Sequence, residues 1–119
     1  MKEILFRGKR IDNGEWVEGD LLHSYFKKGD TCICCPDWTN IKRVDPATVG
    51  QYTGLVDKSG KKIFEGDVVK QGGEIGEVYY ERNYCTFAII LKRNMDLFKH
   101  IKYNCEITGN IHDNPELLR

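Results

Sequence analysis

The sequence predicts a mainly β protein, arranged as an antiparallel barrel or sandwich. Three observations lead to this fold class. No window of a dozen residues keeps apolar side chains at the three- and four-residue spacing of an amphipathic helix. Short apolar or alternating runs bounded by turn residues are frequent instead. Twelve glycines are spread along the 119 residues, and small barrels use glycines and bulges to turn their corners.

The first half of the chain predicts three strands and one short helical turn. Tight turns are indicated where glycine follows polar residues, because glycine and asparagine accept a positive φ. The predicted strands are Ile4–Arg10, Glu15–Phe26 and Thr31–Pro36, separated by turns at Asp12-Asn13-Gly14 and Lys27-Lys28-Gly29-Asp30. Asp45-Pro46-Ala47-Thr48 predicts one helical turn, since aspartate caps helices and proline suits the first helical position.

The second half predicts five more strands, again separated by turns. They are Asp67–Gln71, Ile75–Glu81, Tyr84–Lys92, Leu97–Tyr103 and Glu106–Ile111, with further turns at Asp57–Gly60 and Gln71–Glu74. Ile75–Glu81 and Tyr84–Lys92 are expected to pair as a hairpin. Phe87–Leu91 is apolar on both faces and is therefore the best candidate for a central strand. Asp113–Glu116 is expected to cap a last helical turn.

The charge balance excludes several classes of function. The chain carries 18 Lys and Arg against 18 Asp and Glu, so its formal net charge is zero. A strongly basic field of the kind that drives non-specific binding to nucleic acid or anionic membranes is absent. No run approaches the roughly 20 apolar residues of a membrane span, and Met1–Lys9 lacks the apolar core of a signal peptide. We therefore expect a soluble, cytoplasmic protein without a membrane partner.

The five cysteines are expected to be reduced thiols. They are Cys32, Cys34, Cys35, Cys85 and Cys105, an odd number that excludes complete pairing within one chain. Cys32 and Cys35 form a C-x-x-C that is typical of half a zinc site. The other half has no counterpart with ligand spacing, so cysteine as a small hydrophobic residue of the strand Thr31–Pro36 is favoured. We expect no metal and no cofactor, and whether Cys32 and Cys35 bind metal stays open.

Two segments of the chain resemble each other. Each has an aromatic residue two before a glycine, a second glycine six later, and then Glu-Gly-Asp followed by an apolar pair; the motifs are Glu18-Gly19-Asp20 and Glu65-Gly66-Asp67. Paired carboxylates could act as acid and base or bind a metal. A catalytic pair has no reason to occur twice, whereas a bulge or tight turn has. The repeat is therefore interpreted as a structural corner in two related β units.

The sequence resembles the YopX family. Gln51–Val69 resembles the family signature, Ile107–Leu118 resembles its end, and Phe6-Arg7-Gly8-Lys9 resembles its start. The resemblance implies a small protein encoded by a phage or prophage, with one domain over residues 1–119. It implies two small, SH3-like or pseudo-barrel β units packed together, here about residues 1–44 and 50–119, with short helical turns. It implies no known activity, and the cysteine cluster is not part of the family pattern.

Three functions are compatible with these features. The favoured one is a non-catalytic binding or assembly module, since strand edges can be shared between subunits and a homo-oligomer is expected. The alternative is a nucleic-acid-binding barrel that uses a basic and aromatic stretch: Lys92, Arg93, Phe98, Lys99, Lys102 and Tyr103. An enzyme would have to use Asp20 with Asp67, or Glu18 with Glu65, and a histidine such as His23. No catalytic residue and no small-molecule substrate is identified.

Overall fold

A computed structural model describes residues 3–34, 40–90, 95–97 and 105–118, the three residues 95–97 as backbone only. The chain is mainly β, as the sequence predicts, and it contains two sheets. It divides into two compact units, Met1–Tyr52 and Thr53–Arg119. The described strands are β1 Phe6–Arg10, β2 Trp16–His23, β3 Thr31–Cys34, β4 Ile41–Val56, β5 Lys62–Phe64, β6 Asp67–Gln71, β7 Glu74–Glu81, β8 Thr86–Ile90, β9 Met95–Leu97 and β10 Glu106–Asn110.

The first unit is a closed cycle of four antiparallel strands. β1 pairs with β2, β2 with β3, β3 with β4, and β4 pairs back with β1. Each strand of the cycle therefore pairs with two others, which is how barrels avoid exposed edge strands. Cys32, Ile33 and Cys34 of β3 are completely buried, together with Val44 of β4. The small thiol side chains thus serve as core residues, as the sequence predicts.

Gly19 lies where β2 changes partners. Residues 16–19 of β2 pair with β1, from Trp16 opposite Lys9 to Gly19 opposite Phe6. From Asp20 onward the strand pairs with β3, beginning with Asp20 opposite Cys34. A Cβ atom on Gly19 would stand 2.0 Å from the carbonyl oxygen of Cys34. Glycine is therefore required at this corner by the close approach of two backbones.

The helical turn expected at Asp45-Pro46-Ala47-Thr48 is wrong, because this segment belongs to β4. Between the pairs Arg7–Gly50 and Lys9–Asp45, β1 has one residue whereas β4 has four, so β4 bulges here. Side-chain oxygens of the bulge accept hydrogen bonds from backbone N–H groups in and beside it. Asp45 Oδ1 accepts from the Ala47 amide at 3.0 Å, and Thr48 Oγ1 accepts from the Lys9 amide at 2.9 Å. The capping side chain was recognised, but pairing with β1 decides the backbone conformation.

Over its described residues, the second unit contains an antiparallel sheet in the order β10-β6-β7-β8-β9. Its core combines Ile63, Val69, Val78, Phe87, Ile89 and Cys105. The hairpin expected across Arg82-Asn83 is confirmed as β7 and β8, joined by a 3₁₀ turn at Arg82–Tyr84. β8 lies between β7 and β9, as expected for the apolar run that begins at Phe87. The last helical turn is confirmed as the 3₁₀ segment Pro115–Leu118.

Asp57 ties the turn between β4 and β5 to β10. Its buried carboxylate accepts three backbone N–H groups: those of Ser59 at 2.9 Å, Lys61 at 3.0 Å and Ile107 at 3.1 Å. Burial by itself would raise the pKa of Asp57, but these three N–H groups and the charge of Lys61 outweigh burial, and the pKa lies below its usual value. The ionised carboxylate therefore stabilises the folded unit.

We expect Gly19→Ala to lower the free energy of unfolding by about 1–3 kcal/mol, the usual cost of overpacking. The methyl group would collide with the Cys34 carbonyl, and the backbone there is held by two ladders. Urea unfolding followed by far-UV circular dichroism measures the change. Glu18→Ala, an exposed neighbour in the same strand, is the control and should stay within about 0.5 kcal/mol of the natural protein. Equal stability of the two variants would contradict the close approach.

We expect Asp57→Asn to lower stability at pH 7 by about 1–3 kcal/mol, because an amide NH₂ would face one of the N–H donors. The pKa of Asp57 is lowered by folding, so its contribution is present above the unfolded value of about 4 and disappears as the pH falls through the folded value.

The difference from the natural protein should therefore shrink between pH 7 and acidic pH, and unfolding titrations at pH 7, 5 and 3 measure it. Glu116→Gln, at an exposed position, is the control and should follow the natural protein throughout. A pH-independent difference for Asp57→Asn would show that the carboxylate charge plays no part.

Candidate binding site

The loop between β2 and β3 is organised around one carboxylate. Asp30 Oδ1 accepts from the amide of Tyr25 at 3.0 Å, and Oδ2 accepts from the amides of Phe26 at 3.2 Å and Lys27 at 3.0 Å. The Asp30 side chain is only 6% exposed, and Arg43 Nε lies 3.6 Å from its Oδ2. Burial alone would raise the pKa of Asp30. The three amides and the Arg43 charge outweigh it and hold the pKa below its usual value.

Two further contacts close this loop. The Ser24 amide donates to the Asp30 carbonyl at 2.8 Å, and the Gly29 amide donates to Ser24 Oγ at 3.0 Å. Ser24 has φ 59° and Gly29 has φ 90°, both in the left-handed region. A residue that is neither glycine nor asparagine is uncommon there. The strand expected to continue to Phe26 therefore ends at His23, and the loop from Ser24 to Asp30 has a defined conformation.

The loop presents two aromatic side chains to solvent. Tyr25 is 57% exposed and Phe26 is 50% exposed. Their ring centroids lie 4.9 Å apart at an interplanar angle of 87°, an edge-to-face pair. The Arg43 guanidinium lies 5.0 Å from the centroid of the Phe26 ring, within the range of a cation–π contact. We call the segment from Ser24 to Asp30, with these two rings, the aromatic loop.

A groove of about 330 Å³ adjoins the aromatic loop. It is open to solvent and is lined by Ile11, Asp12, Phe26, Ile41, Lys42 and Arg43. The amide of Ile11 donates to the carbonyl of Arg43 at 3.2 Å, which joins the turn after β1 to β4. Ile11 is exposed although it is large and apolar. We call this concave surface the first-unit groove.

The aromatic loop and the first-unit groove are rich in cations. Together with Arg10 they contain five cationic residues, Arg10, Lys27, Lys28, Lys42 and Arg43, against two carboxylates, Asp12 and Asp30. Asp12 is occupied by Arg10 in a two-pronged pair, with N–O distances of 2.9 and 2.6 Å. Asp30 is occupied by the loop amides. Lys27, Lys28 and Lys42 form no ion pair with any of the described carboxylates.

The nucleic-acid stretch predicted from the sequence cannot be placed. Its members Lys92, Arg93, Phe98, Lys99, Lys102 and Tyr103 all lie outside the described residues. The aromatic loop has the same composition, with two adjacent aromatics followed by two lysines. The sequence interpretation missed it because Tyr25 and Phe26 were assigned to a strand. The available signal was the Phe26-Lys27-Lys28 sequence at a predicted turn.

The two Glu-Gly-Asp motifs have different surroundings. Glu18 and Asp20 are exposed within β2, on either side of Gly19. In the second motif, Gly66 has φ 92° and lies in the turn between β5 and β6. Asp67 is buried there, and its Oδ2 accepts from the amide of Phe64 at 2.7 Å. The second carboxylate thus fixes a turn, and the first motif surrounds a strand corner.

The described cysteines are free thiols. Cys32, Cys34 and Cys105 are buried and Cys85 is exposed, while Cys35 lies outside the described residues. Burial raises the pKa of Cys105 to about 11, with Asp57 and Asp67 adding to the effect, so this thiol is protonated at neutral pH. Within the described ranges, no three or more His, Cys, Asp or Glu side chains are grouped as metal ligands would be. Over the same ranges, no helix has the length and apolar character needed to cross a membrane.

Comparison with known proteins places the chain in a family. The crystal structure of protein EF1440 from Enterococcus faecalis is similar, with a TM-score of 0.60, 23% sequence identity and coverage of 100% of both chains. At this identity the likeness concerns the fold. No curated protein is similar enough to match. The model of the YopX protein family matches residues 5–119, which is nearly the whole sequence, and the chain therefore belongs to the YopX family.

Proposed function

We propose that this YopX protein is a non-catalytic binding module whose partner is an extended anionic polymer. The polymer would contact the aromatic loop and the first-unit groove. The proposal includes an accessory role for a phage or prophage, exercised in the cytoplasm of the bacterial host. It also includes self-association, since β9 and β10 are the outer strands of the second sheet among the described residues and strand edges can be shared between copies.

The observation that carries the proposal is the excess of lysines that pair with none of the described carboxylates, beside a fixed aromatic loop. Both carboxylates of this surface are engaged within the protein, Asp12 by Arg10 and Asp30 by three amides. The electrostatic potential that a partner experiences at this surface is therefore dominated by Lys27, Lys28 and Lys42. Several cations on one surface attract a chain of regularly spaced negative charges and release its counterions.

The aromatic loop is suited to binding because its conformation exists before a partner arrives. Ordering a loop costs about 1–2 kcal/mol of backbone entropy per residue, which weakens any complex that requires it. Here Asp30, Ser24 and Gly29 already fix the backbone through hydrogen bonds of 2.8–3.2 Å. The exposed rings of Tyr25 and Phe26 consequently meet a partner with little further ordering.

Catalysis is not part of the proposal, because the groups at this surface are engaged in other contacts. The carboxylate of Asp30 holds a loop, and the carboxylate of Asp12 is paired with a guanidinium. The neighbouring Cys32 thiol is buried, and burial together with Asp30 raises its pKa. A carboxylate that serves as a general base must be able to accept a proton from a substrate. The side chains that remain available at this surface are cationic and aromatic, which suits binding.

The proposal predicts salt-dependent binding of at least one anionic polymer. Fluorescence anisotropy would be measured with a labelled oligothymidylate of about twelve nucleotides, a DNA duplex of equal length and a polyglutamate peptide, at several salt concentrations. Replacing Lys27 and Lys28 together by Ala should weaken binding and reduce the slope of log Kd against log salt by about one per lysine. Light scattering on the same samples reports the oligomeric state, so that the number of polymer chains bound can be given per oligomer.

The matched control is the double variant Lys61→Ala with Lys70→Ala, which removes the same charge from exposed positions of the second unit. Its affinity should change less than about twofold, because neither lysine belongs to the aromatic loop or to the lining of the first-unit groove. If none of the three probes shows salt-sensitive binding at micromolar protein concentration, the proposal is contradicted. An equal effect of the two double variants would show that the polymer does not bind at the aromatic loop.

The organisation of the loop yields a second expectation. Asp30→Ala adds one unit of positive charge but leaves the amides of Tyr25, Phe26 and Lys27 without their acceptor. We expect faster hydrogen exchange at these three amides and weaker binding of the polymer, despite the added charge. Asp12→Ala adds the same charge at the same surface without touching the loop backbone, and it should bind at least as tightly as the natural protein. Tight binding by both variants would show that charge alone matters.

A further inference from the structure

We infer that the anionic polymer is single-stranded nucleic acid, with bases stacked on Phe26 and Tyr25 and phosphates beside Lys27, Lys28 and Lys42. This inference rests on the proposed function and deepens it by naming the chemical class of the partner. It depends on the two rings of the aromatic loop, whereas the proposed function depends on the cations. The two can therefore fail separately.

The exposed rings of the aromatic loop favour nucleic acid over an acidic polypeptide as the partner. Half or more of Tyr25 and of Phe26 is open to solvent. The face of an aromatic ring carries a negative quadrupole, so it repels carboxylates and attracts flat, polarisable groups. Every nucleobase has such a flat surface, and stacking on an aromatic side chain contributes about 1–3 kcal/mol per base. Phosphates with bases thus match both the cations and the rings of this surface.

Arg43 restrains the Phe26 ring through a cation–π contact. Its guanidinium lies 5.0 Å from the ring centroid and is itself held by Asp30 at 3.6 Å. The cation restrains the ring from one side, and half of the Phe26 side chain stays open to solvent. The Tyr25 and Phe26 rings are nearly perpendicular, at 87° with their centroids 4.9 Å apart. The two rings therefore offer differently oriented faces, which suits the unstacked bases of a single strand.

The surface is less suited to a duplex. Bases inside a duplex are stacked on each other, so only phosphates and groove edges are accessible, and the major groove admits a helix or a two-stranded ribbon. The first-unit groove, at about 330 Å³, has the size of a small-molecule pocket. Its lining combines three apolar residues, Ile11, Ile41 and Phe26, with the cations Lys42 and Arg43.

The central comparison of the test is between two single strands of equal charge, one with bases and one without. Affinities would be measured for oligothymidylate, for an abasic oligonucleotide of the same length, for the duplex and for the polyglutamate peptide. We expect the natural protein to bind oligothymidylate about 5- to 100-fold more tightly than the abasic strand, from one stacked base. Phe26→Ala should lower the affinity for oligothymidylate at least fivefold toward that for the abasic strand, with stacking on Tyr25 retained, and should leave the abasic affinity unchanged.

Three further variants keep the result interpretable. Phe26→Trp retains a stacking ring, should preserve binding, and should show indole fluorescence quenching by oligothymidylate beyond that of the natural protein. Tyr25→Ala provides a second truncation if Phe26→Ala does not fold, as judged by circular dichroism. Tyr84→Ala removes an exposed tyrosine of the second unit and should leave every affinity unchanged.

The outcomes separate the two proposals. Equal affinity for the abasic strand and oligothymidylate, or a preference for the duplex or for polyglutamate, would overturn the inference while the proposed function stands. Failure to bind any probe would overturn both. Loss of oligothymidylate binding on replacing Lys99 and Lys102 by Ala, with Phe26→Ala and Tyr25→Ala binding normally, would place the nucleic acid elsewhere on the chain and also overturn the inference.

Discussion

Aspartate carboxylates that accept backbone N–H groups hold both units of this protein in shape. A small β protein has many turns, and each turn leaves amides that no ladder satisfies. Asp30 accepts three such amides in the first unit, Asp57 accepts three in the second, and Asp67 accepts that of Phe64. Hydrogen bonds to an ionised acceptor are roughly twice as strong as neutral ones. The turns between short strands thereby become fixed parts of the structure.

Most strands and turns could be predicted because their signals are local. The Gly72-Gly73 hairpin turn has positive φ at both glycines, and β6 and β7 pair directly across it. β4 could not be predicted, although it is the longest of the described strands. Its proline, its glycines and the capping side chain of Asp45 favour other local structures. Pairing with β3, the preceding strand, and with β1, which is distant in sequence, makes it extended.

The candidate site was beyond prediction for a related reason. Tyr25 and Phe26 continue an apolar run, and a positive φ at Ser24, which no residue preference indicates, separates them from β2. The groove combines Ile11, Phe26 and Arg43, three residues that meet because the four-stranded cycle closes with one particular register. Register is decided by pairing over the whole unit. Composition could indicate the kind of side chains in such a site but not their position.

The zero net charge of the sequence does not describe how the charges are distributed over the surface, because the contacts engage the carboxylates and the lysines differently. A carboxylate bonded to three amides keeps its charge but is turned toward the backbone, and one paired with a guanidinium forms a dipole with it. Lysine has a long side chain that extends into solvent. Where a fold uses its aspartates as turn acceptors, the charged side chains that project furthest from the surface around those turns are therefore lysines. The first unit shows this around Asp30, where Lys27 and Lys28 follow immediately after the rings whose backbone that carboxylate holds.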